Sequence, residues 1–581
     1  MSYKNLAGCR SYAETNLAVI WLLAQLITPP LQQGPIRLPE TNPLEQRSPL
    51  SPAPDTRAPV LERQPEPVPQ PAPEQDNIPL PGETSPTSIP TIEGKSPYSN
   101  EDLRKILAGC QQLGGTELEG LKRCAATLTT RLVQDGYVNT RVFVRTTPAP
   151  GVLEIVPGEL TELRVNSSDK GLENRIRQRL KPLLGTVLNM GQLEQQLVDL
   201  RLLPGVGQIK GNMGRVGTDV SKAVLNLTVE PASNPWQGDL SIRNDGNAGS
   251  GEWRTLGVAL KNNLLAPGDT LLLVGELNAD QQAELGATIS SISYTAPLSD
   301  QLKLTGSFGY SRRNQVEAEA ALRNLTSRQF QGYGQLEWLF KQSSRERWSA
   351  FAGISGNRND SFLKGKSFSS TGPGGWNQTG YARIGANYGA NQGRFSWNAS
   401  VYGLQGMPSF SSDLQLQELG ATGIKPGESR ALGGSLNLNW FVNSTVQLSL
   451  RGSGQVAFNE LTGDMGFTLG SDTGLKGLPG TYISGDSGYL WTTELTWTFW
   501  TNRKMALQLS PFLGAGRVSS QRSQGNFSDT VGSGGVLLRW LANQNWNLEL
   551  GWISPFEVEE RPYWEDWLLG SGVYTKLQYR F

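Results

Sequence analysis

Gly485-Asp486-Ser487-Gly488 has the residue order in which a serine protease presents its nucleophile. That chemistry needs an imidazole to take the serine proton, and the 581-residue chain contains no histidine. Ser361-Phe362-Leu363-Lys364 has the spacing of a serine acyl-enzyme, yet neither Ser-Asp-Asn nor Lys-Thr-Gly occurs to complete such a site. No G-x-x-x-x-G-K-[ST] loop is present to hold a nucleotide phosphate. The lack of histidine also removes the commonest metal ligand. The sequence therefore predicts no enzyme, no cofactor and no metal site. Lys+Arg and Asp+Glu each total 52, so no net basic field predicts nucleic-acid binding.

What remains is pattern. Only 37% of residues are hydrophobic and mean hydropathy is −0.36, values that alone describe a soluble protein. The one strongly apolar run, LAVIWLLAQLI (17–27), is too short to span a bilayer as a helix. From about residue 234 onward, however, segments alternate with period two and are broken by Gly, Asn, Asp and Ser. Phe395, Trp397, Ala399 and Val401 share one face. So do Trp491, Thr493, Leu495, Trp497 and Phe499, and so do Trp546, Leu548, Leu550 and Trp552. The last segment puts Val573, Thr575, Leu577, Tyr579 and Phe581 on one face and Tyr574, Lys576, Gln578 and Arg580 on the other. Each segment pairs a lipid-compatible face with a wettable one, and the tryptophans fall where an interfacial belt would sit. Roughly 350 residues at about 20 per strand and loop predict a transmembrane antiparallel β-barrel of about 16 strands. Alternation marks Arg451, Glu494, Glu549, Lys576, Gln578 and Arg580 as inner-wall residues.

Ahead of the barrel the pattern changes three times. Residues 1–28 read as an export signal, with Lys4 and Arg10 before the apolar run. Residues 29–85 are proline-rich and cannot bury enough apolar surface to fold, so they predict an extended, disordered linker. Two α+β modules of order β-α-α-β-β follow, at 86–158 and 159–232. The first has helices at about 99–110 and 116–134 and strands at 137–146 and 151–156. The second has a strand near 162–166, helices at 172–180 and 191–202, and strands near 206–213 and 223–230. Cys110 and Cys124 flank the link between the first module's helices. In an oxidising compartment they are expected to be bridged, the alternative being two small core residues.

Four stretches, in this order, resemble the haemolysin secretion/activation proteins, the two-partner secretion translocators of the Omp85 superfamily. GYVNTRV (136–142) with GVLEIVPGEL (151–160) is similar to the junction of that family's two POTRA domains. LLGTVLNMGQLEQQLVDLRLLPGV (183–206) is similar to the helical part of the second. RNDGNAGSGEWR (243–254), NNLLAPGD (262–269) and YTAPL (294–298) resemble its first barrel strands and turns. LKGLPGTYISGDSGYLWTTEL (475–495) resembles its long sixth extracellular loop.

The resemblance implies a periplasmic pair of POTRA domains that captures an unfolded partner, and an outer-membrane barrel that secretes it. The implied partners are a β-helical exoprotein of haemolysin or filamentous haemagglutinin type, outer-membrane lipid, and the barrel-assembly machinery that reads a terminal aromatic, here Phe581. The chain would act as a monomer. An assembly insertase of the same superfamily and a passive porin are the alternatives. The family's loop carries Val-Arg-Gly-aromatic, whose arginine meets an aspartate on the inner wall. Here the loop motif comprises Lys476 and Gly477, with Gly485, Asp486 and Gly488 following, and the wall segment comprises Phe512, Gly514 and Gly516. Gly514 stands where the acid is expected, so the resemblance implies a weak lock or one made through Asp472 or Glu494. Lysine lacks the arginine fork, and a water-exposed pairing is worth only about 0–1 kcal/mol.

Overall fold

The computed structural model describes residues 61–63 and 91–581, apart from 112–116, 148–151, 202, 204, 218, 233–235, 248, 318–324, 344, 368–376, 523–524, 544 and 559–563. The expected export signal and most of the linker lie outside the described residues. The chain divides into two compact units, one holding the α+β region and one holding the barrel.

In the α+β unit, the first module packs helices Asn100–Gln111 and Leu118–Gln134 on a three-stranded sheet of Thr91–Gly94, Val152–Val156 and Arg141–Arg145, in that order. The expected strand at 137–146 is shorter because Tyr137–Thr140 form a turn closed by Thr140 N–H donating to Tyr137 O. Leu121, Cys124, Leu128 and Leu132 repeat at helical spacing and are buried against Leu153 and Ile155. Cys124 is disulfide-bonded; the Cys110 side chain lies outside the described residues.

The second module packs helices Lys170–Leu180 and Met190–Leu200 on a four-stranded sheet of Leu61–Arg63, Val206–Val216, Asp219–Pro231 and Glu159–Ser167, in that order. The linker expected to be disordered throughout 29–85 is thus corrected at 61–63, where backbone pairing parallel to Gly211–Met213 makes a short edge strand. Each helix starts on an Asx cap. Asp169 accepts from Gly171 N and Leu172 N, and Asn189 accepts from Gln192 N. Asn189 also donates to Asp135 O at 3.0 Å, fastening the second module to the end of the first module's long helix.

Among the described residues no helix is long and apolar enough to cross a membrane. Crossing is by strands. Sixteen antiparallel strands close a barrel from Trp236–Arg243 (first) to Val573–Arg580 (sixteenth). Alternation explains why it closes as it does: Trp491, Leu495, Trp497, Val401, Leu550 and Trp552 are exposed on the outer face, where lipid supplies the apolar partner. Trp338, Phe340, Trp348, Tyr388 and Trp397 form a chain of ring contacts with centroids 4.2–6.2 Å apart near the short turns. They make one interfacial girdle.

The seam between first and sixteenth strands runs only from Lys576 opposite Arg243 to Arg580 opposite Asp239. It is extended at one end by Asn244, which donates to Val573 O and accepts from Thr575 N, both at 2.8 Å. At the other end Phe581 exchanges two 3.1 Å backbone hydrogen bonds with Gly238. Removing Phe581 therefore deletes a fifth or more of an already short seam. The expected outcome is reduced outer-membrane assembly; normal insertion with unchanged heat-modifiable gel migration would contradict it.

Candidate functional site: a barrel lumen closed by an inward loop

The loop between the eleventh strand (Val446–Ala457) and the twelfth (Ser487–Thr501) turns inward. Its stem pairs Phe467–Leu469 with Ile483–Gly485 in antiparallel register. Its tip is cinched by Ser471 N–H to Pro479 O and Asp472 N–H to Gly480 O, both 3.0 Å. Gly477 turns the tip at φ +87°, and a Cβ there would lie 2.1 Å from Ile553 Cγ2. Both the positive φ and the close approach require glycine.

Lys476 projects from this tip onto the wall and pairs with Glu494 on the twelfth strand, while its Nζ sits 5.6 Å from the Phe512 ring centre. Glu494 also receives Arg539 at 2.5 Å. Arg539 Nε in turn lies 3.6 Å from Glu549, which Lys576 approaches at 3.4 Å. The wall positions Glu494, Glu549 and Lys576 read from alternation thus form one inner-wall charge network. The acid absent at 514 is replaced one strand over: Glu494 is opposite Phe512, and Thr492 is opposite Gly514. A Cβ at Gly514 would come within 3.0 Å of Leu475 Cδ2, so the loop itself fills the space an acid would use. Of the two expectations, a weak lock or one made through Asp472 or Glu494, the structure has Lys476 on Glu494, whose carboxylate is shared with Arg539.

Gly485, Asp486 and Gly488 do not reach Lys476. Gly485 ends the loop's stem and Gly488 lies at the start of the twelfth strand. Between them Asp486 N–H donates to Ser520 Oγ at 2.9 Å while its carbonyl accepts from Gln455. Their work there is structural. Gly516 packs against Leu469, 2.8 Å from where its Cβ would be.

A second anchor was legible only as the candidate Asp472. It pairs with Arg254 on the second strand (Trp253–Asn262), with Arg243 3.6 Å away. Arg254 also binds Glu276 at 2.6 Å. Nearby, Thr481 N–H donates to Asn247 Oδ1 at 3.0 Å, and Gly480 N–H to Gly246 O at 2.9 Å. The loop is therefore ion-paired to two separate parts of the wall.

The described part of the final loop, 557–558 and 564–572, completes the closure, and sequence reading missed it. Trp564, Trp567 and Leu569 are buried in one cluster with Phe467, Leu469, Leu475 and Leu478 of the inward loop. Tyr482 meets Trp564 edge-on at 6.1 Å. Trp567 Nε1 donates to Glu317 at 3.0 Å, and Leu568 N–H to Glu252 at 2.7 Å. Burial pushes the Glu317 carboxyl up to about 7, against the Trp567 hydrogen bond and with help from Asp280 and Glu252. A folded value raised above the ordinary 4.5 means that burying Glu317 beneath Trp567 carries no ionisation penalty below about pH 4.5. Its stabilisation is lost as pH rises through about 7, because the charged carboxylate resists burial more than the Trp567 hydrogen bond favours it. Barrel opening in bilayer recordings is expected to increase between about pH 5 and about pH 8, and Glu317→Gln to flatten that dependence.

Magnitudes rank the contacts. Burying Phe467, Leu469, Leu475 and Leu478 contributes about 1.5–3 kcal/mol each as an upper bound. Lys476 adds less, because Glu494 keeps Arg539 when Lys476 is removed. Glu494→Ala instead strands Lys476 without its carboxylate. Glu494→Ala is accordingly expected to raise open probability more than Lys476→Ala, with Lys476→Arg near wild type. Equal effects from the two alanine variants would contradict the shared-carboxylate geometry.

A sequence model of the haemolysin secretion/activation proteins ShlB/FhaC/HecB matches residues 221–537. The outer membrane transporter CdiB of Dickeya dadantii (strain 3937) is 22% identical over 459 residues, covering 73% of this chain and 76% of that protein. Among solved structures, CdiB from Escherichia coli aligns with TM-score 0.60 and 17% identity over 88% of this chain and 93% of that one. CdiB from Acinetobacter baumannii aligns with TM-score 0.55 and 16% identity over all of both chains. At such identities the structural likeness speaks for the fold.

Proposed function

The chain belongs to the haemolysin secretion/activation protein family, and from that premise we propose how it works. It is an outer-membrane transporter of two-partner secretion, and it exports a partner exoprotein. In our reading the α+β modules at 86–158 and 159–232 act as POTRA domains in the periplasm. They bind the unfolded exoprotein as an added strand on an open sheet edge. The exoprotein, of β-helical haemolysin or filamentous haemagglutinin type, then threads the lumen and folds outside. With no nucleotide loop in the sequence, outward folding supplies the direction. One chain closes all sixteen strands, which supports a monomer, and Phe581 is the signal to the barrel-assembly machinery.

The observation that carries this reading is a lumen with a charged wall, filled by a loop that is held by separable ion pairs and an apolar cluster. A passive porin has no need of such a stopper or of two α+β modules. Co-expression with a candidate β-helical exoprotein tests the reading. Exoprotein is expected in the medium with the intact chain and in the periplasm without it; equal appearance in both cases would sink it.

The bridge between Cys110 and Cys124 is part of the same proposal, since it would brace the first module's two helices in an oxidising periplasm. Thiol labelling of the denatured, unreduced protein is expected to find neither cysteine free. Full labelling of both would refute it.

A further inference from the structure

On the lipid-facing side of the fifth, sixth and seventh strands (Leu302–Asn314, Leu325–Gln342 and Glu346–Leu363), three arginines converge. Arg312 stands directly opposite Arg328, and Arg358 directly opposite Phe330, two residues from Arg328. All three are exposed. They share their face with Leu304, Phe308, Leu336, Trp338 and Ile354, which are 42–53% exposed where lipid lies.

Depth along the strands fixes the level of the patch. Leu302, Trp338 and Trp348 lie at the girdle beside the short turns, and each arginine is ten residues further along its strand. Ten tilted residues rise about 25 Å, the height of a barrel's apolar band. The three guanidinium groups are therefore at the outer-leaflet boundary, where headgroups begin. Directly beneath them Tyr310 and Phe330 are in ring contact at 5.0 Å, with Phe308 6.2 Å from Phe330. At one side Phe410 walls the patch, lying within 2.6 Å of where a Cβ at Gly356 would be.

Like charges directly opposite on a sheet repel, so the Arg312–Arg328 pair calls for an anion. The carboxylate opposite Arg328, Asp360, is 1% exposed and accepts from Ser361 N and Ser367 Oγ, both at 2.8 Å. Its buried position directs it to the hairpin that ends the seventh strand, and Arg328 stacks instead 4.9 Å from the Phe362 ring centre.

We propose that Arg312, Arg328 and Arg358 form a binding site for a phosphorylated lipid headgroup of the outer leaflet. Guanidinium forks match phosphate oxygens two at a time, and the aromatic floor suits the acyl chains below. This site lies outside the lumen and makes no use of the secretion pathway. It would orient the barrel in an asymmetric membrane.

The test uses the detergent-solubilised full chain and native mass spectrometry, with diphosphoryl lipid A as probe and its dephosphorylated form as comparator. Wild type is expected to retain diphosphoryl lipid A at least about tenfold better than the R312Q/R328Q/R358Q variant, given roughly tenfold per 1.4 kcal/mol. R517Q, on a different part of the outer face, should bind as wild type does. Heat-modifiable migration checks that each barrel is closed. If the triple variant fails to fold, the comparison of the two lipids on wild type still decides. Equal retention of phosphorylated and dephosphorylated lipid, or undiminished binding by a folded triple variant, would overturn the proposal.

Discussion

Replacing Leu475 and Leu478 together by aspartate is expected to leave the barrel closed as a sheet but open as a pore. Both leucines are fully buried between the inward loop, the wall and the final loop. Their burial supplies about 3–6 kcal/mol together, and buried carboxylates would add a further penalty. Reversing a closed-to-open ratio from 99:1 to 1:99 takes about 5.5 kcal/mol, so this pair suffices where Lys476→Ala does not. Single-channel recordings should show a mostly open pore, and cells should become sensitive to antibiotics that the outer membrane normally excludes. Conductance indistinguishable from wild type, with a heat-modifiable barrel, would mean that the apolar cluster is not the stopper.

Removing residues 86–232 is expected to reduce secretion of the exoprotein to background while leaving an assembled, heat-modifiable barrel whose conductance matches that of the intact chain. The barrel unit contains its own core, its own girdle and the loop contacts described above. The exoprotein, however, would lose the sheet edges proposed to receive it. Secretion at the normal rate by this truncated chain would defeat the capture step and leave the barrel alone as the transporter.

The strands were readable from sequence because side-chain alternation has a strict period of two. Alternation assigns Glu494, Glu549 and Lys576 to the wall, and they meet there. The helices of both modules were readable from caps and periodicity, with ends shifted by one or two residues where Asp169 and Asn189 set the start. The partner of Lys476 was not fixed by sequence. Lys476 and Glu494 are 18 residues apart. Which wall residue the lysine meets depends on how far the loop turns back into the barrel, and the loop has no periodicity to reveal it. The part played by Trp564 and Trp567 was hidden for a related reason: their loop has no periodicity, and their burial depends on contact with a loop about ninety residues earlier. Arg254 was quoted for its resemblance, but its pairing with Asp472 spans 218 residues.

The most direct test of the account is whether the exoprotein passes through the lumen. A photo-crosslinking amino acid at Asn387, which faces inward and donates to Ser349 Oγ at 3.3 Å, would report on that path during export. The same probe at Ile354, 49% exposed on the lipid face, is the control. The account predicts crosslinks to the exoprotein at 387 and none at 354. Exoprotein reaching the medium with no crosslink at 387, or with crosslinks at 354 instead, would contradict it.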